Sequence, residues 1–288
     1  MTELMFGALL EQGADRPQDV IGLAELMEQV GLDVVSLSDH PYWPERLDTV
    51  ALLSAIVART SRITVLPNLM NLPLRPPAGL ARTAATLDIL SGGRFELGLG
   101  AGAQQMWESI IAEGGPARGA GESIEALEEA TELIRALWTS KEDVNFNGEH
   151  YHLGGAKPGP APLHEIPIWF GAYQPRMLRA TGRLADGWIP SSPFFPPAAL
   201  TDANRIIDEA AESADRSPSA VRRGYNIDGV FGTEPGFLRG SAKQWAEQLA
   251  ELVVDERITA FFLYRVHDPD VLRRFAAEVA PAVRDLVA

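Results

Sequence analysis

The sequence contains no cysteine, which excludes a disulfide framework, a thiolate-held metal and a cysteine nucleophile. No apolar run reaches the ~18 residues needed to cross a bilayer. The opening residues MTELMFGALLEQG lack a basic segment followed by an apolar one, so no secretory signal is expected and the cytoplasm is the expected location. Basic residues are scarce. Lys and Arg number 25 against 39 Asp and Glu, for a net charge of −14. An acidic surface of this kind favours solubility and repels phosphate backbones, which argues against a nucleic-acid partner. No G-x-S-x-G elbow and no P-loop lysine motif occurs, so hydrolase and nucleoside-triphosphatase readings lack support. Gly13 stands alone after the first apolar run, where an open dinucleotide-binding sheet would carry a glycine-rich fingerprint.

What is present is a regular alternation. The 288 residues, 46% apolar, are enough for one domain spanning 1–288 with a substantial core. Short apolar or β-branched runs are expected as strands at 4–9, 33–38, 63–69, 94–99, 167–170, 187–190, 223–231 and 259–264. Helical periodicity falls between them, at 18–30, 49–59, from Pro76-Pro77 onward, and at 121–139, 175–184, 197–214, 242–254 and 269–287. Alternation implies parallel strands joined by helical crossovers. Eight such units over about 250 residues or slightly more describe an α/β fold of the (β/α)8 TIM-barrel type. One stretch breaks the rhythm. VNFNGEHYHL at 144–153 alternates around Asn147-Gly148, a two-residue hairpin signal. With the proline-rich loop after it, this is expected as an insertion between the fourth helix and the fifth strand that shields one barrel end.

In such a barrel the working groups lie at the C-terminal ends of the strands. The second strand ends in Ser38-Asp39-His40, followed by Tyr42 and Trp43. A histidine there can move a proton near neutrality or simply cap the rim. Tyr42 and Trp43 suit an aromatic wall for a flat ligand or ordinary rim packing. Gly98, Gly100 and Gly102 admit close backbone approach by a bulky group, or by a neighbouring strand. Gly171-Ala172, just before a helix, offers free N–H groups to an anion, or is a plain turn. His150 and His152, an H-x-H pair on the expected hairpin, invite a metal hypothesis. They lie away from the strand ends that would supply a third ligand, so no metal is assigned.

At Ser38-Asp39-His40, and above all at LDILSGGRFELGLGAG (87–102), the chain resembles the luciferase-like flavin-dependent oxidoreductases, the luciferase-like monooxygenase family. Residues 167–172, the run Ala185-Asp186-Gly187-Trp188 and the stretch 240–264 agree with the same family. The resemblance implies a (β/α)8 barrel, a flavin-type cofactor at the C-terminal mouth and a homodimer through the early helices. The Asp-His pair is similar to the branch that uses coenzyme F420. By that likeness His40 is the catalytic proton donor beside the deazaflavin ring, and Asp39 contacts the cofactor. Asn71, Ala101 and Gly102 would meet the ring, and Gly171 with Ala172 the phosphate end. Asn68-Leu69 is the candidate for the branch's non-proline cis peptide, a bulge behind the ring. Tyr42, Trp43 and Trp107, with Phe194 as a further candidate, would line the substrate pocket.

The chain departs from the branch's glucose-6-phosphate dehydrogenases. They carry a catalytic glutamate just after these glycines, where this sequence has Ala103, Gln104 and Gln105. The expected activity is therefore hydride transfer between F420 and a small, apolar organic substrate, an aromatic pocket favouring an alcohol, ketone or enone. Three alternatives remain open. One is an FMN-dependent monooxygenase fed reduced flavin by a partner enzyme. The others are a non-catalytic flavin-binding protein and a metal-assisted hydrolase using His150 and His152.

Overall fold

Strands and helices alternate as the periodicity predicts, and the computed structural model describes residues 4–288. The first half comprises β1 (Met5–Leu10), α1 (Pro17–Gln29), β2 (Val34–Leu37), α2 (Thr49–Arg59), β3 (Thr64–Pro67), β4 (Met70–Asn71), α3 (Pro77–Ser91) and β5 (Leu97–Gly100). After the short α4 (Trp107–Ala112) and long α5 (Ala120–Thr139) comes a hairpin, β6 (Val144–Asn147) and β7 (His152–Ala156). The rest is β8 (Ile168–Phe170), α6 (Pro175–Leu184), β9 (Gly187–Trp188), α7 (Leu200–Glu212), β10 (Arg222–Ile227), α8 (Ala242–Glu256), β11 (Ile258–Val266), α9 (Pro269–Arg274) and α10 (Ala280–Val287).

All pairings of the main sheet are parallel, in the order β3-β2-β1-β11-β10-β9-β8-β5-β4. The two ends of that order, β3 and β4, are halves of one stave, the third. A parallel bridge between Val65 and Phe95 joins that stave to the fourth. The result is a (β/α)8 barrel. Among the described residues, no helix is long and apolar enough to cross a membrane.

Local chemistry sets the helix ends. Asp48 caps α2 by accepting the Ala51 amide at 2.9 Å. Pro77 opens α3, and Gly92 closes it in the left-handed region at φ 72°. Ser241 and Gln244 form a reciprocal capping box at the start of α8. Inside the barrel, Val34, Leu66, Trp169, Ile189, Ala260 and Phe262 are buried together. A Cβ on Gly187 would stand 2.1 Å from the Trp169 ring, so the indole fills the interior only because its neighbour has no side chain. At the N-terminal end, Glu96 accepts the Trp169 indole N–H, and Arg222 at 2.8 Å. The Arg222 guanidinium covers the same indole, 4.7 Å from the ring centre. This polar plug seals the barrel floor and leaves the C-terminal mouth as its open end.

Two expectations change. The hairpin pairs Asn147 with His152 and Phe146 with Leu153, so its loop is four residues, Gly148–Tyr151, not the Asn-Gly pair. The cause is Glu129 of α5, whose carboxylate accepts the amides of Glu149, His150 and Tyr151 at 2.7, 2.9 and 3.1 Å. That contact lays the hairpin tip against the middle of α5. The final helix is also broken, by a π-helical turn at Phe275–Val279. Pro281 has no N–H to continue the ladder, and the wider turn accommodates its ring.

Candidate active site

Past Leu37 the chain leaves the barrel's C-terminal end and presents His40, Tyr42 and Trp43 together. The His40 Nδ1 lies 2.8 Å from the Tyr42 hydroxyl. Its ring stacks on Trp43 with centroids 4.2 Å apart and planes inclined by 30°. Tyr42 meets Trp43 edge-on at 5.9 Å. Arg46 lies over the Trp43 ring at 4.5 Å and donates to the Ser38 hydroxyl at 2.9 Å. Burial first, and then the Arg46 charge, lower the His40 pKa to about 4, against an opposing pull from Asp39. Its imidazole is therefore neutral at physiological pH. Burial, reinforced by the Asp39 carboxylate, raises the Tyr42 phenol to about 12, so that group keeps its proton.

Asp39 is tied into the protein itself. Only 2% exposed, it accepts Arg75 through both oxygens, at 2.9 and 3.1 Å, and the Asn71 amide at 3.0 Å. Arg75 reaches on to Asp48 at 2.6 Å. The carboxylate ties the second stave to the loop after the third.

The Asn68–Leu69 peptide bond is cis, at the position the resemblance indicates. The Leu69 side chain lies against the glycine face of the neighbouring staves. An added Cβ would stand 2.9 Å from it at Gly98, 3.4 Å at Gly100 and 2.5 Å at Gly171. Gly98 is closed further by the Pro67 carbonyl, 2.0 Å from that Cβ position, so here glycine serves strand crowding. Gly102, at φ 89°, follows Ala101 at the rim. Asn71 is buried and its Oδ1 has no hydrogen-bond partner. Ala172 is fully buried, and its carbonyl accepts the Trp188 indole N–H at 3.0 Å. Just beyond it, α6 starts at Pro175 with no side-chain cap.

Other candidates are not brought to His40. Trp107 opens α4 half-buried, with no ring contact to Tyr42 or Trp43 among the described residues. Phe194 pairs instead with Tyr264, edge-on at 6.4 Å. His150 lies in the hairpin loop and His152 on β7, so they do not share a strand face. Among the described residues no group of three His, Asp or Glu side chains gathers as a metal site.

Several site residues escaped sequence reasoning. Asn226 donates to Asn68 at 3.3 Å and to Ser191 at 3.0 Å, and the Asn68 amide donates back at 2.7 Å. The alternation Gly224, Asn226 along β10 would have placed that side chain inward. Tyr173 packs on Phe195 at 5.9 Å, facing the mouth from the fifth and sixth staves. No local pattern marks Arg75 as the partner of Asp39.

The profile of a family described as luciferase-like monooxygenase matches residues 4–235. An F420-dependent glucose-6-phosphate dehydrogenase of Nocardia farcinica is 32% identical over 251 residues, 85% of this chain and 73% of that protein. One of Intrasporangium calvum is 29% identical over 270 residues, covering 92% and 78%. Among solved structures, an F420-dependent secondary alcohol dehydrogenase in complex with an F420–acetone adduct superposes with a TM-score of 0.83 at 21% identity, over 99% of this chain and 100% of that one. The coenzyme F420-dependent tetrahydromethanopterin reductase from Methanopyrus kandleri gives 0.83 at 19%, over 97% and 99%. At those identities the structures speak to the fold.

Proposed function

Because the chain belongs to the luciferase-like monooxygenase family, we propose that it is an F420-dependent oxidoreductase, moving a hydride between the coenzyme and a small alcohol or the matching carbonyl compound. The observation that carries this reading is the neutral His40 at the barrel mouth, held by Tyr42 on one side and by the face of Trp43 on the other. F420, when bound, supplies the two-electron hydride chemistry. The residues that would hold it are Asn71, whose buried and unpartnered Oδ1 suits a ring N–H, the Asn68–Leu69 bulge, Ala101-Gly102, and Gly171-Ala172 at the phosphate end. Among the described residues the only side chain hydrogen-bonded to His40 is Tyr42, at Nδ1. Nε2 is thus left to the substrate, and a neutral imidazole accepts the hydroxyl proton there in the oxidising direction.

A neutral, largely apolar substrate is supported by the pairing of the nearby cations. Arg75 is held by Asp39 and Asp48, Arg239 by Asp228 at 3.3 Å, and Arg265 by Glu11 at 2.7 Å. Ala103 also stands where a sugar-phosphate dehydrogenase of this branch carries glutamate. A second reading, oxidation of a sugar phosphate, draws on the names of the relatives and on one feature of the site. Arg46, 3.8 Å from Glu11, shares that carboxylate with Arg265, and is the most loosely paired of these cations.

A homodimer belongs to the proposal. Leu90, 66% exposed, lies on a groove of about 330 Å3 between α2 and α3, a surface that a second copy would cover. Sedimentation at micromolar concentration tests it.

Fluorescence titration with F420 and with FMN tests the cofactor. Micromolar or tighter binding of F420 with much weaker FMN is expected, and preference for FMN would move the protein to the monooxygenase alternative. A panel of secondary alcohols beside glucose 6-phosphate, followed by loss of oxidised coenzyme, then separates the two substrate readings. Tight coenzyme retention without turnover on any of them would favour a binding protein.

A further inference from the structure

His40 is the proton-moving group in the proposal above, and the question the geometry raises is what holds its ring while the proton moves. The adjacent carboxylate, Asp39, does not: both its oxygens are occupied by Arg75 and the Asn71 amide. The contact at Nδ1 is the Tyr42 hydroxyl, at 2.8 Å. We propose that Tyr42 is the positioning residue of the proton transfer, its hydroxyl holding Nδ1 in each protonation state so that Nε2 alone exchanges the proton with substrate. The proposal rests on the assignment of His40 as the proton acceptor.

The reason lies in hydrogen-bond capacity. A carboxylate at Nδ1 only accepts, and would draw the ring toward imidazolium. A hydroxyl both donates and accepts. It can donate to a bare Nδ1 or accept from Nδ1–H. When the substrate O–H bond breaks and its proton joins Nε2, the electron pair stays on the substrate oxygen and the ring becomes imidazolium. For Nε2 to accept, the neutral ring must already carry its own proton on Nδ1, and the Tyr42 oxygen accepts that N–H before and after the transfer. The stack on Trp43, itself clamped by Arg46, fixes the ring plane, and the Tyr42 bond fixes rotation within it.

The charged and titratable groups acting on His40 are Arg46 from the loop after β2, Arg265 near the end of β11, Asp39 beside it, and Tyr42. Both arginines oppose protonation. An acceptor at Nδ1 is therefore the one hydrogen bond that favours the transient imidazolium.

Tyr42→Phe tests this, since the phenyl ring keeps the edge contact with Trp43 and loses only the hydroxyl. In the free protein, the His40 ring titrated by NMR, and assigned against His40→Gln, is expected to show a lower midpoint than wild type. Its 15N shifts are expected to report a changed tautomer balance. With coenzyme and substrate, kcat is expected to fall about 10- to 100-fold, with KM and coenzyme affinity within about twofold. A merely structural Tyr42 would leave the titration midpoint and tautomer balance unchanged, and that result, or an unchanged kcat, overturns the proposal. Should Tyr42→Phe fold poorly, the Tyr42 hydroxyl signal compared between wild type and His40→Gln decides. Loss of the slowly exchanging or hydrogen-bonded Tyr42 hydroxyl signal on His40→Gln is expected, and its persistence counts against the pair. Absence of turnover by wild type on every alcohol would sink the functional reading alone, because the NMR measurements need neither coenzyme nor substrate.

Discussion

Asp39 and Arg75 form a two-point ion pair at the barrel mouth, Nη2 to Oδ1 at 2.9 Å and Nε to Oδ2 at 3.1 Å. The hydrogen bonds to Asp39 hold the arginine's pKa above its usual value. The pair joins the loop carrying His40 to the loop carrying Asn71, so its integrity bears on both candidate site residues. Arg75→Met would leave a buried carboxylate without its counter-charge, and is expected to cost about 3–5 kcal/mol. Asp39→Asn keeps an acceptor for the Asn71 amide and is expected to cost less. Urea unfolding of the two variants gives the order, and equal costs would show that the charge pairing is not what matters.

His40 connects stability to pH. Its folded-state pKa of about 4 lies below the ordinary value of 6.5, so between those values the unfolded chain binds the proton and the folded chain does not. The neutral ring's contribution is complete above about pH 6.5 and is lost as pH falls toward 4. His40→Gln is expected to flatten the slope of unfolding free energy across that window. In turnover, the variant is expected to lose a factor on the order of 100 with coenzyme binding largely kept. Full activity in His40→Gln would remove the residue from the chemistry.

Glu28 on α1 acts through backbone instead. Burial alone would raise its pKa, but N–H donors at Ile63, Arg62 and Ser61 bring it to about 2. The carboxylate thereby anchors the segment entering β3 to α1, at 2.8 Å from the Ile63 amide and 3.0 Å from that of Ser61. Its contribution is present above the ordinary carboxylate range and is lost as pH falls through about 2. Glu28→Gln is expected to lower the melting temperature at pH 7, with the gap from wild type closing between pH 4.5 and 2. A gap that persists at pH 2 would mean that the charge is not its source.

The glycine face beneath Leu69 gives a graded packing test. At Gly98 a Cβ meets backbone, the Pro67 carbonyl at 2.0 Å; at Gly171 it meets the end of a flexible side chain, Leu69 Cδ1 at 2.5 Å. Gly98→Ala is expected to cost about 3 kcal/mol or more, at or beyond the upper end of ordinary overpacking, and Gly171→Ala less. In a Leu69→Ala background the cost of Gly171→Ala should shrink, because the clashing methyl is gone. Additive costs in that cycle would rule out Leu69 as the obstacle.

The barrel itself was legible in the sequence. Strand positions come from short apolar runs and helix positions from residues recurring on one face, and both are properties of the chain over ten or fifteen residues. Helix ends were legible where a cap or a proline marks them, as at Thr49 and Pro77. The hairpin loop was misread because Asn147-Gly148 states only a local preference. Glu129, far along the chain, supplies an acceptor for three amides, and a wider loop satisfies them together. The last helix was read as continuous because its apolar periodicity survives the π turn that Pro281 requires.

Local pattern was enough to read the parallel barrel, the placing of His40, Tyr42 and Trp43 at the end of the second stave, and, through resemblance, the cis bond at Asn68–Leu69. Which polar groups meet emerges from the folded barrel. Asn68 finds Asn226, 158 positions away; Asp39 turns to Arg75; Tyr42, not Asp39, reaches His40; and Trp107 is not drawn into that cluster. The physical reason is range. Periodicity and capping act between residues one or two turns apart. Pairing across staves depends instead on strand stagger and tilt around the closed sheet, quantities that the whole ring sets and no single segment encodes.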